Sequence, residues 1–559
     1  MHISPFNSLT TRHLHMDFMG GITVAVVALP LALAFGVASG AGPAAGIYGA
    51  IFVGFFAAIF GGTPHQISGP TGPMTVVMAG VFTSLQAKYP ETGLVIGFSA
   101  VVLAGIIQIA FGLLRLGKYF ILVPYPVISG FMSGIGVIII ILQIGPVLGH
   151  EGMPSLTDAL VMVPSWLQNI STPSLILGLL SLAIMYVWPS RLAVWCPPPL
   201  AALLIGSVAA LTLLPENTVA VIGDIPSGFP SPHWPVFTMD VFGELFYAAL
   251  LLAVLGAIDS LLTSLVSDNL TKENHDSDKE LIGQGLGNTV AGIFGGLPGA
   301  GATMRTVVNI RAGGKTGYSG AIHSLTLLAI MLGAGQFAAH VPLAVLAGIL
   351  LRVGINIIDW PMFMRLTKLP ANTVVLMIMV LVMTVFVDLI TAVLVGVFIS
   401  NLITIERLTS IQLDHVYLTD GMDTNVTGEE GTEKAQDSPE QQRLYAHQGA
   451  VVLMKLVGPL SFGVGRGLRQ CLRNYVSYRL MVIDLTGAHL VGTSTAMILD
   501  ELIRTEISNA REVYLVGVSK KAAANLSRLG TLECLGSERV FSSMAEAMDS
   551  ADQTLKLPC

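Results

Sequence analysis

The sequence predicts an all-α polytopic membrane domain followed by a small cytoplasmic α/β domain, and three observations carry that prediction. Long apolar stretches recur between residues 18 and 405 with few charges inside them. A short motif of the first half returns in the second half at the matching place in the run of stretches. Beyond about residue 447, short apolar runs alternate with amphipathic helical patterns, the signature of an α/β fold.

The chain has 559 residues, of which 53% are hydrophobic and 11% charged. Soluble domains carry about 25% charged residues, so a single soluble core is excluded and a polytopic membrane protein is expected. The net charge of −7 is unevenly placed, with an acid-leaning stretch over 411–446 that includes Glu429, Glu430, Glu433, Asp437 and Glu440. No basic stripe with interleaved aromatics is present, which argues against a nucleic-acid partner. Cys196, Cys471, Cys534 and Cys559 are scattered, without metal-ligand spacing, and read as thiols in a reducing compartment. Polar residues 1–17 run into an apolar stretch too long for a signal-peptide core, so no cleaved leader is expected.

A helix needs about 20 residues, at about 1.5 Å each, to cross a bilayer. Stretches 18–38, 41–60, 95–113, 120–145, 174–188, 199–214 and 242–266 fit or nearly fit, as do 281–296, 317–335, 341–356, 371–387 and 389–405. Two more, 73–85 and 302–310, are shorter and broken at their starts by Gly and Pro. Together they make about fourteen segments. Arg115, Lys118, Arg191, Lys272, Lys279, Arg311, Lys315, Arg352, Arg365, Lys368 and Arg407 all fall on one side if the N-terminus is cytoplasmic. The long connections 146–173 and 215–241 on the other side hold no Lys or Arg, and Lys88 is the exception. The positive-inside rule therefore places both termini in the cytoplasm of a cell-membrane protein.

Ala58-Ile59-Phe60-Gly61-Gly62 is repeated as Gly292-Ile293-Phe294-Gly295-Gly296, and Thr75-Val76-Val77 as Thr306-Val307-Val308. Seven segments separate the copies, and an odd offset makes the repeat inverted. The expected domains are a cytoplasmic segment 1–17, a transport domain 18–410, an acidic linker 411–446 and an α/β domain 447–559. In the last, 451–456, 480–485 and 513–518 read as buried strands, and 495–507 and 520–529 as helices.

The two broken segments, Ser68-Gly69-Pro70-Thr71-Gly72-Pro73-Met74-Thr75 and Pro298-Gly299-Ala300-Gly301-Ala302-Thr303-Met304-Arg305-Thr306, hold corresponding places in the inverted halves. Such a pair marks a transporter's binding site. A helix that begins at mid-membrane leaves about four N–H groups free and carries about half a positive charge at that end. Two such ends facing each other hold an anion without a full charge, and the Thr71 and Thr303 hydroxyls add donors. The competing reading is that these glycines only permit close helix packing.

Asp259 lies well inside a segment, where a carboxylate costs about 3 kcal/mol or more. Thr263 follows on the same helical face. A carboxylate, a hydroxyl and freed carbonyls suit Na+; a proton-carrying carboxyl and a structural ion pair with Arg305 are the alternatives. Arg305 either binds the anion or points to the cytoplasmic mouth. Asp268, Asp359 and Asp388 read as helix-end residues, and Asn425-Val426-Thr427 as a glycosylation triplet on the cytoplasmic side. No catalytic constellation and no GxxxxGK[ST] loop is present, so ion-gradient-driven transport is expected rather than enzymatic or ATP-driven chemistry.

These residues resemble the SulP family of anion permeases and exchangers. The resemblance rests on Ala32-Leu33-Ala34-Phe35-Gly36-Val37-Ala38-Ser39-Gly40, on Gly69 to Thr75, on Asp259 to Thr271 and on Gly299 to Met304. The last 110 or so residues resemble that family's STAS domain. The family fold implies fourteen segments as a 7+7 inverted repeat, with segments 1–4 and 8–11 as a core domain that moves past a gate domain, commonly in a homodimer. Glu280 to Asn288 and Pro342 to Gly348 look most like the family's cyanobacterial sodium-dependent bicarbonate transporters.

That likeness implies Na+ ligation by Asp259, Thr263, Gly301 and Thr303, and bicarbonate contact by Thr71 and Ala302. Two positions depart from the pattern. Arg305 stands where it has glycine and many other members have arginine, which favours a divalent anion such as sulfate; Gly69 stands where it has glutamate. Ser494, in Gly492-Thr493-Ser494-Thr495, occupies the place of a phosphorylated serine in related STAS domains, within a degraded motif. The leading expectation is Na+-coupled bicarbonate uptake with no cofactor beyond the ion. A proton-coupled sulfate transporter or exchanger, and a non-transporting STAS-linked sensor, are its rivals.

Overall fold

The computed structural model describes residues 7, 9–120, 124–153, 156–193, 196–215, 218–223, 229–237, 239–387, 389–414, 416–420, 443–444, 446–447, 449–460, 478–488 and 490–555. The chain forms two compact units, Met1–Phe398 and Ile399–Cys559.

Each of the apolar stretches coincides with a helix. In order these are α1 (Leu14–Ala38), α2 (Pro43–Phe60), α3 (Gly72–Lys88), α4 (Gly93–Leu113), the single turn α5 (Gly117–Phe120) and α6 (Tyr125–Leu148). Then come α7 (Leu156–Gln168), α8 (Thr172–Val187), the single turn α9 (Ser190–Ala193), α10 (Pro198–Leu213), α11 (Met239–Thr271) and α12 (Ser277–Ile293). The series ends with α13 (Thr303–Arg311), α14 (Gly317–Ala338), α15 (Leu343–Ile357), the single turn α16 (Trp360–Phe363), α17 (Ala371–Phe386) and α18 (Leu389–Asp414). Six helical stretches among the described residues are long and apolar enough to cross a membrane on their own, with α10, α15 and α17 apolar but shorter. Proline at the first turn starts α2, α3, α8 and α10, where its missing N–H costs nothing. Gly149, at φ 90°, ends α6 in the left-handed conformation that glycine adopts without strain.

The connection 146–173 is not the plain loop the sequence suggested. It contains α7, which meets α8 at a 116° bend and buries Ala159 and Trp166 against α6. Its apolar residues fall at helical spacing, but Pro164 and the short length hide the helix from a search for spans.

Helix packing obeys the inverted repeat. With α1–α4 taken as the counterparts of α11–α14, the pairs α12 with α4 and α11 with α4 map onto α2 with α14 and α1 with α14, and all four pack closely. The same exchange relates α15 with α8 to α6 with α17. Small residues allow this closeness: Val24, Ala25, Ala28 and Ala34 of α1 are wholly buried, and a Cβ on Gly46 of α2 would collide with the Ala32 carbonyl.

The second unit holds a five-stranded sheet of order β3 (Val416–Thr419), β4 (Val451–Leu456), β6 (Leu480–Asp484), β8 (Glu512–Val516) and β9 (Val540–Phe541). Only the β3–β4 pairing is antiparallel. A separate parallel pair joins β5 (Pro459–Leu460) to β7 (Leu490–Val491). Parallel strands need both faces covered. Helices Thr493–Ser508 and Lys520–Arg528 cover one face through Leu499, Ile503 and Leu526, and Met544–Thr554 covers the other through Ala547 and Met548. The edge strand β3 comes from the stretch read as linker, because alternation over only four residues is too short to stand out in a polar context. Ser494 is exposed in the first turn of helix Thr493–Ser508.

Asp359 caps α16, accepting from the Met362 amide at 3.2 Å, and Asp268 near the end of α11 bonds His275 Nδ1 at 2.6 Å. Asp388, residues 421–440 with the Asn425 triplet, Cys471 and Cys559 lie outside the described residues. Cys196 and Cys534 are free thiols.

Candidate anion and cation site

The two broken segments meet. Ser68–Gly69 (β1) pairs antiparallel with Ala300–Gly301 (β2), with Ser68 opposite Gly301 and Gly69 opposite Ala300. The ladder is only two residues long because each strand runs directly into a helix, α3 from Thr71 and α13 from Ala302. It fixes both starts at one place, and neither Thr71 nor Ala302 caps its own helix with a side chain. The first-turn amides on both sides are therefore free to meet a ligand.

Thr71 is buried, and its Oγ has no hydrogen-bond partner among the described residues. A buried hydroxyl without a partner costs about 1–3 kcal/mol, and the acceptor beside this one is the Asp259 carboxylate of α11. Across the ladder, Thr263 Oγ donates to the Gly301 carbonyl at 2.9 Å and lies 2.8 Å from Thr303 Oγ. Three of the four oxygen donors expected to hold a cation thus touch one another. Ser260, one turn earlier on α11, accepts from the Gly301 amide at 3.0 Å, so Gly301 is held through both its N–H and its carbonyl.

Asp259 stands one helical turn from Thr263, beside the Thr71 hydroxyl and within the field of Arg305. It lies deep in the unit yet keeps a partly exposed edge, because a narrow apolar cavity between α6, α11 and α18 reaches it past Phe131, Leu255 and Leu262. No ion pair joins it to Arg305 at salt-bridge distance among the described contacts. Arg305 is 3% exposed, and its Nη2 donates to the Pro70 carbonyl at 2.8 Å. Its guanidinium thus lies inside the protein at the head of α3, not in a cytoplasmic mouth. Gly69, at φ 148°, makes room for it: a Cβ there would stand 2.9 Å from Nη1.

Further buried polar residues, which patterning left without a role, hold this frame. Glu280, Gln284 and Asn288 recur every four residues on α12 and form one stripe. Glu280 Oε2 accepts from the Gly62 and Thr63 amides, each at 2.9 Å, and Oε1 accepts from Gln66 and Gln284 at 2.7 and 2.8 Å. Gln284 also donates to Ser68 at 2.5 Å, and Asn288 binds both the N–H and the carbonyl of Gly299 at 2.8 and 3.0 Å. One helix face therefore grips both leaders. Polar residues at fixed spacing in an otherwise apolar segment were the available signal.

Facing half-helices in an inverted repeat are an arrangement in which many transporters bind their substrates. The sequence profile of the Sulfate permease family matches residues 14–382, and that of the STAS domain matches residues 442–547. The chain is 42% identical over 546 residues to the bicarbonate transporter BicA of Synechocystis sp., covering 98% of this chain and 95% of that one. It is 29% identical to the putative sulfate transporter YvdB of Bacillus subtilis, covering 96% and 97%. The transmembrane domain of a cyanobacterial BicA superposes with a TM-score of 0.66 at 49% identity, over 70% of this chain and all of that one. SLC26A9 superposes at 0.82 with 19% identity, over 97% and 91%, which is a likeness of fold. The chain belongs to the sulfate permease family: it is a multi-pass membrane protein for anion transport with a STAS domain, not an enzyme.

Proposed function

We propose that this protein takes up bicarbonate together with Na+, by moving the α1–α4/α11–α14 core past the remaining helices. The observation that carries the reading is the meeting of Thr263 Oγ, Thr303 Oγ and the Gly301 carbonyl one turn from Asp259. Hard oxygen donors and one carboxylate suit Na+, and the cation in turn draws an anion to the amides of α3 and α13 and to the Thr71 hydroxyl. The likeness to BicA over nearly the whole chain supports bicarbonate as that anion. A homodimer in the cell membrane with both termini cytoplasmic completes the reading.

A second reading is favoured by Arg305. A buried guanidinium at the head of α3 supplies a fixed positive charge, which suits sulfate and makes Na+ dispensable. Proton-coupled sulfate uptake or anion exchange would follow. A sensor without transport has less support, since it would have no use for a buried Thr71 hydroxyl beside two open helix starts.

Uptake of labelled bicarbonate and sulfate into vesicles, with and without Na+, separates these readings when wild type and Asp259→Ala are compared. The leading reading expects Na+-dependent bicarbonate uptake that Asp259→Ala abolishes. Sulfate uptake without bicarbonate uptake, or uptake indifferent to Na+, would sink it. No uptake by folded protein would favour the sensor.

A further inference from the structure

Glu280 is 1% exposed, inside an apolar helix bundle. A carboxylate in such a place is tolerated only when its lone pairs are filled. Here all four partners are neutral donors: two backbone amides of the turn after α2, and the side-chain amides of Gln66 and Gln284. A carboxylate accepts and never donates, so it dictates the orientation of every group around it.

The dictated group that matters is Gln66. Its Nε2 is committed to Glu280, so its Oε1 must face away, and it accepts from Ser264 Oγ at 3.0 Å. Ser264 is the neighbour of Thr263 on α11 and also meets Thr63 Oγ at 2.8 Å. The Gln66 amide lies flat against Gly301, where any Cβ would run into it. Gln66 is thus wedged between Glu280 and the two elements that present the oxygens of Thr263 and Gly301.

We propose that Glu280 is the positioning residue of the cation site, acting through Gln66 on Gly301 and on α11 at residues 263–264. The inference rests on the Na+-coupled reading above and names a residue that touches neither ion. In Glu280→Gln one acceptor atom becomes a donor. If it faces the backbone amides of Gly62 and Thr63, donors oppose donors; if it takes the other place, it opposes the side-chain amides of both Gln66 and Gln284, and a Gln66 that turns over takes its acceptor from Ser264, which is left to donate to the Ser260 carbonyl. Either rearrangement disturbs the Gln66 amide that packs directly on Gly301, whereas Thr71 has no contact with Glu280 or Gln66 among the described residues.

The test is Na+-driven bicarbonate uptake by the full-length protein in vesicles, read as half-saturating Na+, half-saturating bicarbonate and maximal rate. Groups that orient metal ligands from behind change affinity by about 10- to 100-fold when replaced. Glu280→Gln is expected to raise half-saturating Na+ by at least about tenfold, with maximal rate at saturating Na+ and half-saturating bicarbonate little changed. Gln66→Met keeps the Glu280 charge and breaks only the link, and it is expected to raise half-saturating Na+ likewise. The double variant should be no worse than the poorer single one. An unchanged Na+ requirement in Gln66→Met overturns the proposal, even where Glu280→Gln fails to fold. An equal loss of maximal rate without a shift in Na+ requirement also overturns it, because that is the mark of general damage. A wild type indifferent to Na+ overturns both this proposal and the reading beneath it, whereas a Na+-dependent wild type with unaffected variants overturns this proposal alone.

Discussion

The guanidinium of Arg305 lies over the Cα of Gly69, and each residue explains the other. Nη2 reaches the Pro70 carbonyl at 2.8 Å only because position 69 has no side chain. Residue 69 belongs to the leader of α3 and residue 305 to the first turn of α13, so the contact joins the two broken helices. The two departures noted in the sequence are one structural feature.

Gly69→Ala is therefore expected to weaken anion binding although it adds only a methyl group. The residue sits at φ 148°, a strained value for alanine, and the new Cβ would press on Nη1. Half-saturating anion should rise by about fivefold or more, with a coupling of about 1 kcal/mol to Arg305. In an Arg305→Ala background the same change should cost less. Uptake kinetics of the four proteins of this cycle check it; equal costs in both backgrounds would refute the contact's role.

Na+ should stabilise the folded protein through Thr263, Gly301, Thr303 and Asp259. A ligand at about 100 times its dissociation constant adds about 2.7 kcal/mol to stability. A thermal melt of the purified protein should therefore move upward with NaCl and not with equal choline chloride. Asp259→Ala should melt at the same temperature in both salts. A choline response equal to the sodium response would count against a specific site.

Asn288→Ala removes two hydrogen bonds from Gly299 and one from Gln108. Buried groups left without partners cost about 1–3 kcal/mol each. The melting temperature should fall clearly, and more than for an alanine at the neighbouring partly buried Thr289, whose hydroxyl only returns to the Gly285 carbonyl of its own helix. Comparable melting of the two variants would show that the grip on Gly299 contributes little.

In the STAS domain, burial first and then the hydrogen bond to Glu506 raise the Tyr478 phenol above its ordinary 10.0. A folded-state value above the unfolded one stabilises the fold fully below about pH 10 and loses that contribution as pH climbs past it. Alkaline unfolding should therefore include Tyr478 ionisation, and Tyr478→Phe should flatten that part of the stability profile. Phenolate absorbance at high pH, compared between wild type and Tyr478→Phe, measures it. Ionisation of Tyr478 at the ordinary value in folded protein would contradict the geometry, in which its hydroxyl is 2.8 Å from Glu506.

Thr71, Thr303 and Asp259 were legible in the sequence because each breaks a strong local expectation. A Gly/Pro interruption in a hydrophobic segment or a carboxylate at mid-membrane depth announces itself in a single window. Gln66, Ser260 and Ser264 did not, since a small polar residue near a helix end breaks no rule. Arg305 was visible as a charge, but its direction was not.

By itself the sequence determined the membrane class, the order of the helices, the inverted repeat, the α/β character of the last domain and the two helix starts. Hydrophobic periodicity and segment length are local properties, and they decide those features without reference to distant residues. Only the tertiary structure decided that β1 and β2 pair, that Arg305 turns inward over Gly69, and that Glu280 reaches Gln66 across more than 200 positions of chain. Hydrogen bonds and close backbone contacts between distant residues depend on how helices pack, and packing is a property of the whole fold.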